Sequence, residues 1–420
     1  MPPVSVLIKP ASGLCNMNCS YCFYRDEISR RAQPSREIMS DSTLKNVIRK
    51  TLLNADGAIH YLFQGGEPTL AGIPFFEKVL EFQKKYNKKG ISVYNAIQTN
   101  GLLINEQWCR FFAEHQFLVG LSIDGIREIH DLWRTDASGS GTFEQVIRAA
   151  KLLDQFTVPY NILTVVTPQI AENIEAIYSY YKKMGWSYQQ YIACLDPLDD
   201  VTDNAFSSKT NNLNNDEHCD AFSYTPVDSP DDIRSADAAG ASAHDQTQPW
   251  SLPPKLYGQF LIDLFRLWNK DLKTGHALFV QPLEDYVAIA NDRRGVSCDR
   301  QGICSIQQAV EANGDVYPCD FYMLDKYLIG NFNENSFAQI QQKRRDIHFI
   351  ERSYQLTDAC RSCQFHWICK GGCQRCRDYN PSAGAWENRF CESYRMFFEA
   401  CLEEICSSVE ELMKELDADE

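Results

Sequence analysis

Cys15, Cys19 and Cys22 stand in the run Cys-Asn-Met-Asn-Cys-Ser-Tyr-Cys, a C-x3-C-x2-C spacing with no histidine and no fourth cysteine close by. Thiolates are the usual ligands of iron–sulfur clusters, and a complete four-iron cube takes four of them. Three thiolates in one short loop leave one iron without a protein ligand. An iron with an open position binds and activates a small molecule, whereas a fully ligated cluster mainly moves electrons. Zinc is the alternative, but it favours paired C-x2-C units and four tetrahedral ligands. Spacing and context together favour iron–sulfur.

A second set of cysteines lies toward the C-terminus. Cys298 and Cys304 precede Gln308–Pro318, which reads as a β-hairpin turning at Asn313-Gly314, and Cys319 ends it. Cys360, Cys363, Cys369, Cys373, Cys376 and Cys391 follow, giving nine candidates, one more than two four-thiolate clusters require. Metal staples would order a loop-rich segment with little core of its own. One or two zinc sites are the alternative here, and spacing alone does not say which cysteines share a cluster. Cys109, Cys194, Cys401 and Cys406 read as small buried hydrophobes.

These loops need elements to hold them. Val4–Ile8, Ile59–Phe63, Val93–Ile97, Phe117–Ser122, Asn161–Val166 and Gln190–Cys194 read as strands. Between them Ser40–Leu53, Pro74–Tyr86, Glu106–His115, Phe143–Gln155 and Ile174–Met184 read as helices. The repeated β-then-α order predicts an α/β fold, a parallel sheet with helices outside, open or closed into a partial (β/α)6 barrel. The three-cysteine loop, Gln64–Glu67, Gln98–Gly101, Ser122–Gly125 and Leu195–Pro197 each follow a strand. They therefore converge at the C-terminal ends of the strands, where βα-barrels place their active sites. The domain reading is a barrel over 1–198, a polar and flexible insertion over 199–252, and a C-terminal region over 253–420. That last region holds a helical linker, a loop-rich cluster domain and a closing helix from Phe390 to about Leu416. Cys219 and His218 read as solvated residues of the insertion.

Composition narrows the class. The 420 residues are enough for two or three domains, and 44% apolar content supports a sizeable core. Lys and Arg total 41 against 56 Asp and Glu, a net charge of −15 that disfavours nucleic acid and anionic membranes. The first residues lack the basic and apolar regions of a secretory signal, and no apolar run is long enough to span a bilayer. Clustered cysteines in such a chain point to metal binding in the cytoplasm rather than to disulfides.

The matching stretches Ile8–Ser12, Cys15–Tyr24, Gln64–Leu70, Gln98–Gly101, Gly120–Gly125, Cys194–Leu198, Val316–Tyr322 and Cys369–Asp378 span nearly the whole chain. With them the sequence resembles the anaerobic sulfatase-maturating enzymes, radical S-adenosylmethionine (SAM) proteins with a SPASM-type C-terminal extension. The resemblance implies oxidation of a Cys or Ser in a sulfatase precursor to Cα-formylglycine (3-oxoalanine), begun by a 5′-deoxyadenosyl radical. It implies three [4Fe-4S] clusters and SAM as cofactors. Cys15, Cys19 and Cys22 would hold the SAM cluster, and Tyr21, Gly66, Ser122, Arg134 and Leu195 would contact SAM. Cys298, Cys304, Cys319 and Cys373 would hold the first auxiliary cluster. Cys360, Cys363, Cys369 and Cys391 would hold the second, leaving Cys376 spare. Asp320 matches the catalytic base, taking the target's proton while an electron passes to an auxiliary cluster; capping of the hairpin end is its structural alternative.

Further expectations follow from the same residues. Gly65 and Gly66 would let backbone approach the SAM amino group, and Arg134 would offer a planar fork to the SAM carboxylate. Glu67 would either contact a ligand or anchor its loop. Gln64 and Tyr24 would touch the substrate peptide. The partners implied are the sulfatase precursor and a small electron donor such as ferredoxin or flavodoxin. Two other readings share some of these features: a different SPASM peptide modifier forming a thioether or crosslink, and a non-catalytic iron–sulfur electron carrier.

Overall fold

A computed structural model describes residues 4–32, 34, 37–198, 248–276 and 278–418. Positions 199–247, with Cys219 and His218, lie outside the described residues. Six parallel strands run in sequence order: β1 (Val4–Ile8), β2 (Ala58–Phe63), β3 (Ser92–Thr99), β4 (Leu118–Ser122), β5 (Tyr160–Val166) and β6 (Tyr188–Ala193). Their register aligns Ile8 with Phe63, Phe63 with Ile97, and Ile97 with Val119. One face of this sheet is buried under the outer helices. Phe63 meets Phe76 edge-on at 5.1 Å, and Phe76 meets Trp108 at 5.5 Å. Burial of each such side chain contributes about 1.5–3 kcal/mol. The helices begin where local chemistry lets them: Ser40 caps Asp41–Asn54 by accepting from Thr43 N, and Asn105 caps Glu106–Glu114.

The sheet does not stop at six strands. β7 (Phe279–Val280) pairs in parallel with β6, and beyond β1 come β8 (Gln307–Val310), β9 (Asp315–Tyr317) and β10 (Gly330–Asn331). The order is β10-β9-β8-β1-β2-β3-β4-β5-β6-β7. β8 runs parallel to β1, so Ile8 faces Val310, and β9 turns back antiparallel. The hairpin predicted from Asn313-Gly314 exists, with Gly314 at φ +94°. It also covers the free edge of the open barrel, which an isolated edge strand would leave as a pairing hazard. Cys319 and Asp320 are thereby carried to the barrel mouth. A separate two-stranded hairpin, β11 (Arg377–Asn380) with β12 (Ala385–Asn388), lies within the cysteine-dense region.

The helix Pro254–Leu272 packs along the closing helix Cys391–Ala418 and against Pro168–Glu172 and Ile174–Lys183, tying the two ends of the chain to the barrel. Residues 248–252, read from sequence as the end of the polar segment, are packed. Trp250 meets Trp133 edge-on at 6.0 Å, Ser251 Oγ donates to Asp196 at 2.6 Å, and Leu252 is buried. Cys109, Cys194 and Cys401 are buried as expected, but Cys406 is exposed, because it falls on the solvent face of the closing helix. Among the described residues no helix is long and apolar enough to cross a membrane.

Candidate active site and cysteine centres

The chain leaves β1 at Ile8 and turns at once, Lys9 N donating to Val310 O at 2.8 Å and Leu14 N to Ala11 O at 2.9 Å. Cys15, Cys19 and Cys22 follow, and all three line one cavity of about 1070 Å³, measured to its open mouth. The loop is clamped from below. Glu67 N donates to Leu14 O at 2.8 Å, which draws the backbone of Gly66 against it. Gly66 sits at φ +52°, and a Cβ there would lie 2.2 Å from Leu14 O and 2.6 Å from Ser12 O. The demand for glycine at this position thus arises from the cysteine loop itself.

Glu67 anchors rather than binds. Its buried carboxylate accepts from Thr69 N at 3.0 Å, Thr69 Oγ1, Thr99 Oγ1 at 2.8 Å and Asn100 N at 2.8 Å. Burial raises its pKa while those donors lower it. The anchor reaches the thiols through Asn100, whose Nδ2 donates to Asn16 Oδ1 at 2.8 Å. Cys15 Sγ also accepts from Met17 N at 3.4 Å. Burial pushes the Cys19 thiol up to about 11, opposed by the nearby Arg134 charge. A metal cation would reverse that balance, since coordination deprotonates a thiol.

Tyr21, Gly66, Ser122, Arg134 and Leu195 line the same cavity as the three cysteines. Two of them, Tyr21 and Arg134, meet at Asp124, fully buried and not singled out from the sequence as a site residue. It accepts from Arg134 Nε at 2.9 Å, Arg134 Nη2 at 3.3 Å, Val165 N at 3.0 Å and the Tyr21 hydroxyl. Arg134 gives Nε and Nη2 to Asp124, which fixes the guanidinium plane beside the cavity. Behind it, Asp124 N donates to His130 Nδ1 at 3.2 Å, so Nε2 carries the proton toward Thr142 Oγ1 at 3.1 Å. Thr142 in turn donates to Arg134 O at 2.8 Å. Burial depresses His130 to about 3, keeping it neutral in this ring of contacts. Gln98 Nε2 donates to Ser122 Oγ at 2.9 Å. Asp124 lies two residues past β4, within the Ser122–Gly125 stretch that the sequence places at a strand end.

The opposite wall is built by the hairpin. Phe321 lines the cavity, with Asp320 just behind it, buried beside Cys319, whose thiol donates to Asp320 Oδ1 at 3.6 Å. Burial raises the Asp320 pKa and the Lys9 charge lowers it. Gln64 and the Tyr24 ring line the cavity, but the Tyr24 hydroxyl is committed to Glu311. Glu311 also accepts from Ser12 Oγ and pairs with Arg31 at 3.5 Å, stitching the cysteine loop to β8. No sequence signal marked Glu311, because its partners are some 290 residues away.

The remaining cysteines fall into two neighbourhoods, within which a thiolate at one position would oppose the ionisation of another. Cys304 feels Cys298; Cys319 feels Cys304 and Cys298; Cys373 feels Cys304 and Cys298. Cys360 feels Cys391 and Cys363, Cys369 feels Cys360 and Cys391, and Cys391 feels Cys363. Cys376 lies hydrogen-bonded against Cys373. Among the described residues no three His, Cys, Asp or Glu side chains converge tightly enough for a single metal ion. A zinc ion would draw its sulfurs to about 2.3 Å; thiolates around an iron–sulfur cube sit on separate irons.

An open parallel barrel with a three-thiol loop at the C-terminal end of its first strand defines a radical SAM protein, and the chain matches that superfamily over residues 10–181. Residues 302–364 match the SPASM iron–sulfur cluster-binding domain. The Cys-type anaerobic sulfatase-maturating enzyme of Clostridium perfringens is 38% identical over 95% of this chain and 96% of its own. The Ser-type enzyme of Bacteroides thetaiotaomicron is 28% identical over 94% of this chain and 89% of its own. A solved structure of native anSMEcpe with bound AdoMet and Cp18Cys peptide superposes with TM-score 0.81 at 36% identity, covering 97% of this chain and 99% of that one. The chain belongs to the anaerobic sulfatase-maturating enzyme family.

Proposed function

We propose that the protein oxidises a cysteine or serine residue of a sulfatase precursor to Cα-formylglycine, with Asp320 as the base. The observation that carries this reading is the convergence of the three-thiol loop and the five residues expected to contact SAM on one cavity, with Asp320 behind its opposite wall. Relatives named Cys-type are 37–38% identical and those named Ser-type 28–29%, which favours cysteine as the preferred target.

The donor sets suit three [4Fe-4S] clusters: Cys15, Cys19 and Cys22 for one, Cys298, Cys304, Cys319 and Cys373 for the second, Cys360, Cys363, Cys369 and Cys391 for the third. When bound, the first cluster and SAM supply one-electron cleavage and abstraction of the target's β-hydrogen. The chain does the rest by placement. Tyr21, Gly66, Ser122, Arg134 and Leu195, which line the cavity, would hold SAM. Asp320 would take the proton of the target thiol or hydroxyl, and the auxiliary cluster that its neighbour Cys319 would help to hold would take up the remaining electron. A thioaldehyde formed from cysteine would then be hydrolysed to the aldehyde. The enzyme works in the cytoplasm on a precursor polypeptide, drawing electrons from a small ferredoxin or flavodoxin; its organisation is a barrel over 1–198, a connecting segment over 199–252 and a cluster region over 253–420.

The test is anaerobic: reconstituted protein, SAM, a reductant and sulfatase-motif peptides carrying either Cys or Ser, followed by mass spectrometry. Coupled release of 5′-deoxyadenosine and formation of formylglycine, faster with the Cys peptide, is the expected result. Deoxyadenosine without a peptide product would move the substrate to another peptide class.

A further inference from the structure

Lys9 is 0% exposed, lines the cavity, and its ammonium has no hydrogen-bond partner among the described residues. Its place is built. The side chain runs beneath Gly65, where a Cβ would lie 2.6 Å from Lys9 Cγ and 2.9 Å from Nζ. The Nζ atom stands 3.8 Å from the centre of the Tyr24 ring, and that ring is fixed by the Tyr24–Glu311 bond. A buried ammonium with unspent donors costs free energy unless something satisfies it.

Lys9 is the largest charge opposing the burial-raised pKa of both Glu27 and Asp320, and Arg375 and Arg31 add to it at Glu27. None of these groups hydrogen-bonds the ammonium. Its unspent donors are a hydrogen-bond demand at the cavity wall, which an acceptor on a bound molecule can meet. In a peptide the abundant neutral acceptor is the backbone carbonyl.

We propose that Lys9 is a substrate-contacting residue whose ammonium donates to a backbone carbonyl of the peptide at or beside the residue that is oxidised. This rests on the reading that the substrate is a peptide, and it adds the group that would hold that peptide's main chain against the cavity.

The test uses reconstituted, SAM-loaded protein and a fluorescent sulfatase-motif peptide followed by anisotropy. Losing the Lys9 charge would also shift the protonation of Glu27, so Lys9→Met is paired with Glu27→Gln, which removes that titration. Loss of a charged donor predicts peptide binding about 10- to 100-fold weaker with SAM binding unchanged. Peptide affinity equal to wild type in the double variant would mean that the Lys9 ammonium makes no contact with the peptide, and would overturn the inference. A second measurement leaves the protein intact: peptides with a single thioamide, a weaker acceptor, at successive positions around the target. Weaker binding at one position is expected; equal affinity at all of them overturns the proposal. Failure of wild-type protein to bind the unmodified peptide would instead refute the peptide-substrate reading, and the role of Lys9 would fall with it.

Discussion

Asp124 grips Arg134 at two points, Nε at 2.9 Å and Nη2 at 3.3 Å, while the same carboxylate accepts the Tyr21 hydroxyl. Two residues of this cavity wall thus depend on one buried charge. Asp124→Asn keeps the volume but leaves the Arg134 cation unpaired in the interior, which costs about 3–5 kcal/mol when one partner of a buried pair is lost. The expected outcome is a lower melting temperature together with SAM binding at least about tenfold weaker by equilibrium dialysis. Unchanged SAM affinity would show that Arg134 needs no support from Asp124.

Gly66 lies against the backbone of the cysteine loop, where an added Cβ would be 2.2 Å from Leu14 O. That contact is with backbone, so relief requires moving the loop. Gly66→Ala is expected to lose the SAM cluster while keeping the auxiliary ones, read as a fall of about four irons per chain and loss of SAM-dependent change in the reduced cluster's EPR signal. Full iron content with normal SAM response would place the strain elsewhere.

Local patterns explain how much was readable beforehand. The six barrel strands and their helices carry apolar periodicity within a few residues of the observed bounds, as at Phe143–Gln155. The loop residues at strand ends were visible because a parallel barrel gathers those ends. The β8–β1 pairing was not visible, since it joins segments about 300 residues apart, beyond any local pattern. Glu311 was missed for the same reason, and Asp124 because an acidic residue after a strand does not announce which cations it will meet. Glu67 stayed open between two roles until its four donors were seen. Tyr24 was expected at the peptide, yet its hydroxyl is spent on Glu311.

Asp320 sits beside Cys319, three residues past β9, buried and in no ion pair among the described residues, which fits a base that must take up a proton at a defined moment. General-base removal typically costs about 10²–10⁴-fold in rate. Asp320→Asn should leave SAM cleavage to 5′-deoxyadenosine largely intact while formylglycine yield falls by at least about a hundredfold. Aldehyde formation at the wild-type rate would remove Asp320 from the role of base.

Glu27 offers a pH test independent of activity. It is buried, neither carboxylate oxygen has a hydrogen-bond partner among the described residues, and burial raises its pKa from 4.5 to about 8 despite the Lys9 and Arg375 charges. The folded state therefore holds this proton more tightly than the unfolded chain. Its contribution to stability is fully present below about pH 4.5 and is lost as pH rises toward about 8. Glu27→Gln removes the titration, so the stability of the variant relative to wild type should climb between pH 5 and pH 8, by at most about 1.4 kcal/mol per unit, and level off above that. Thermal melts of both proteins across the range decide it. A difference that stays flat from pH 5 to 8 would mean that Glu27 is already ionised in the folded protein, and that Lys9 balances a carboxylate rather than facing a neutral acid.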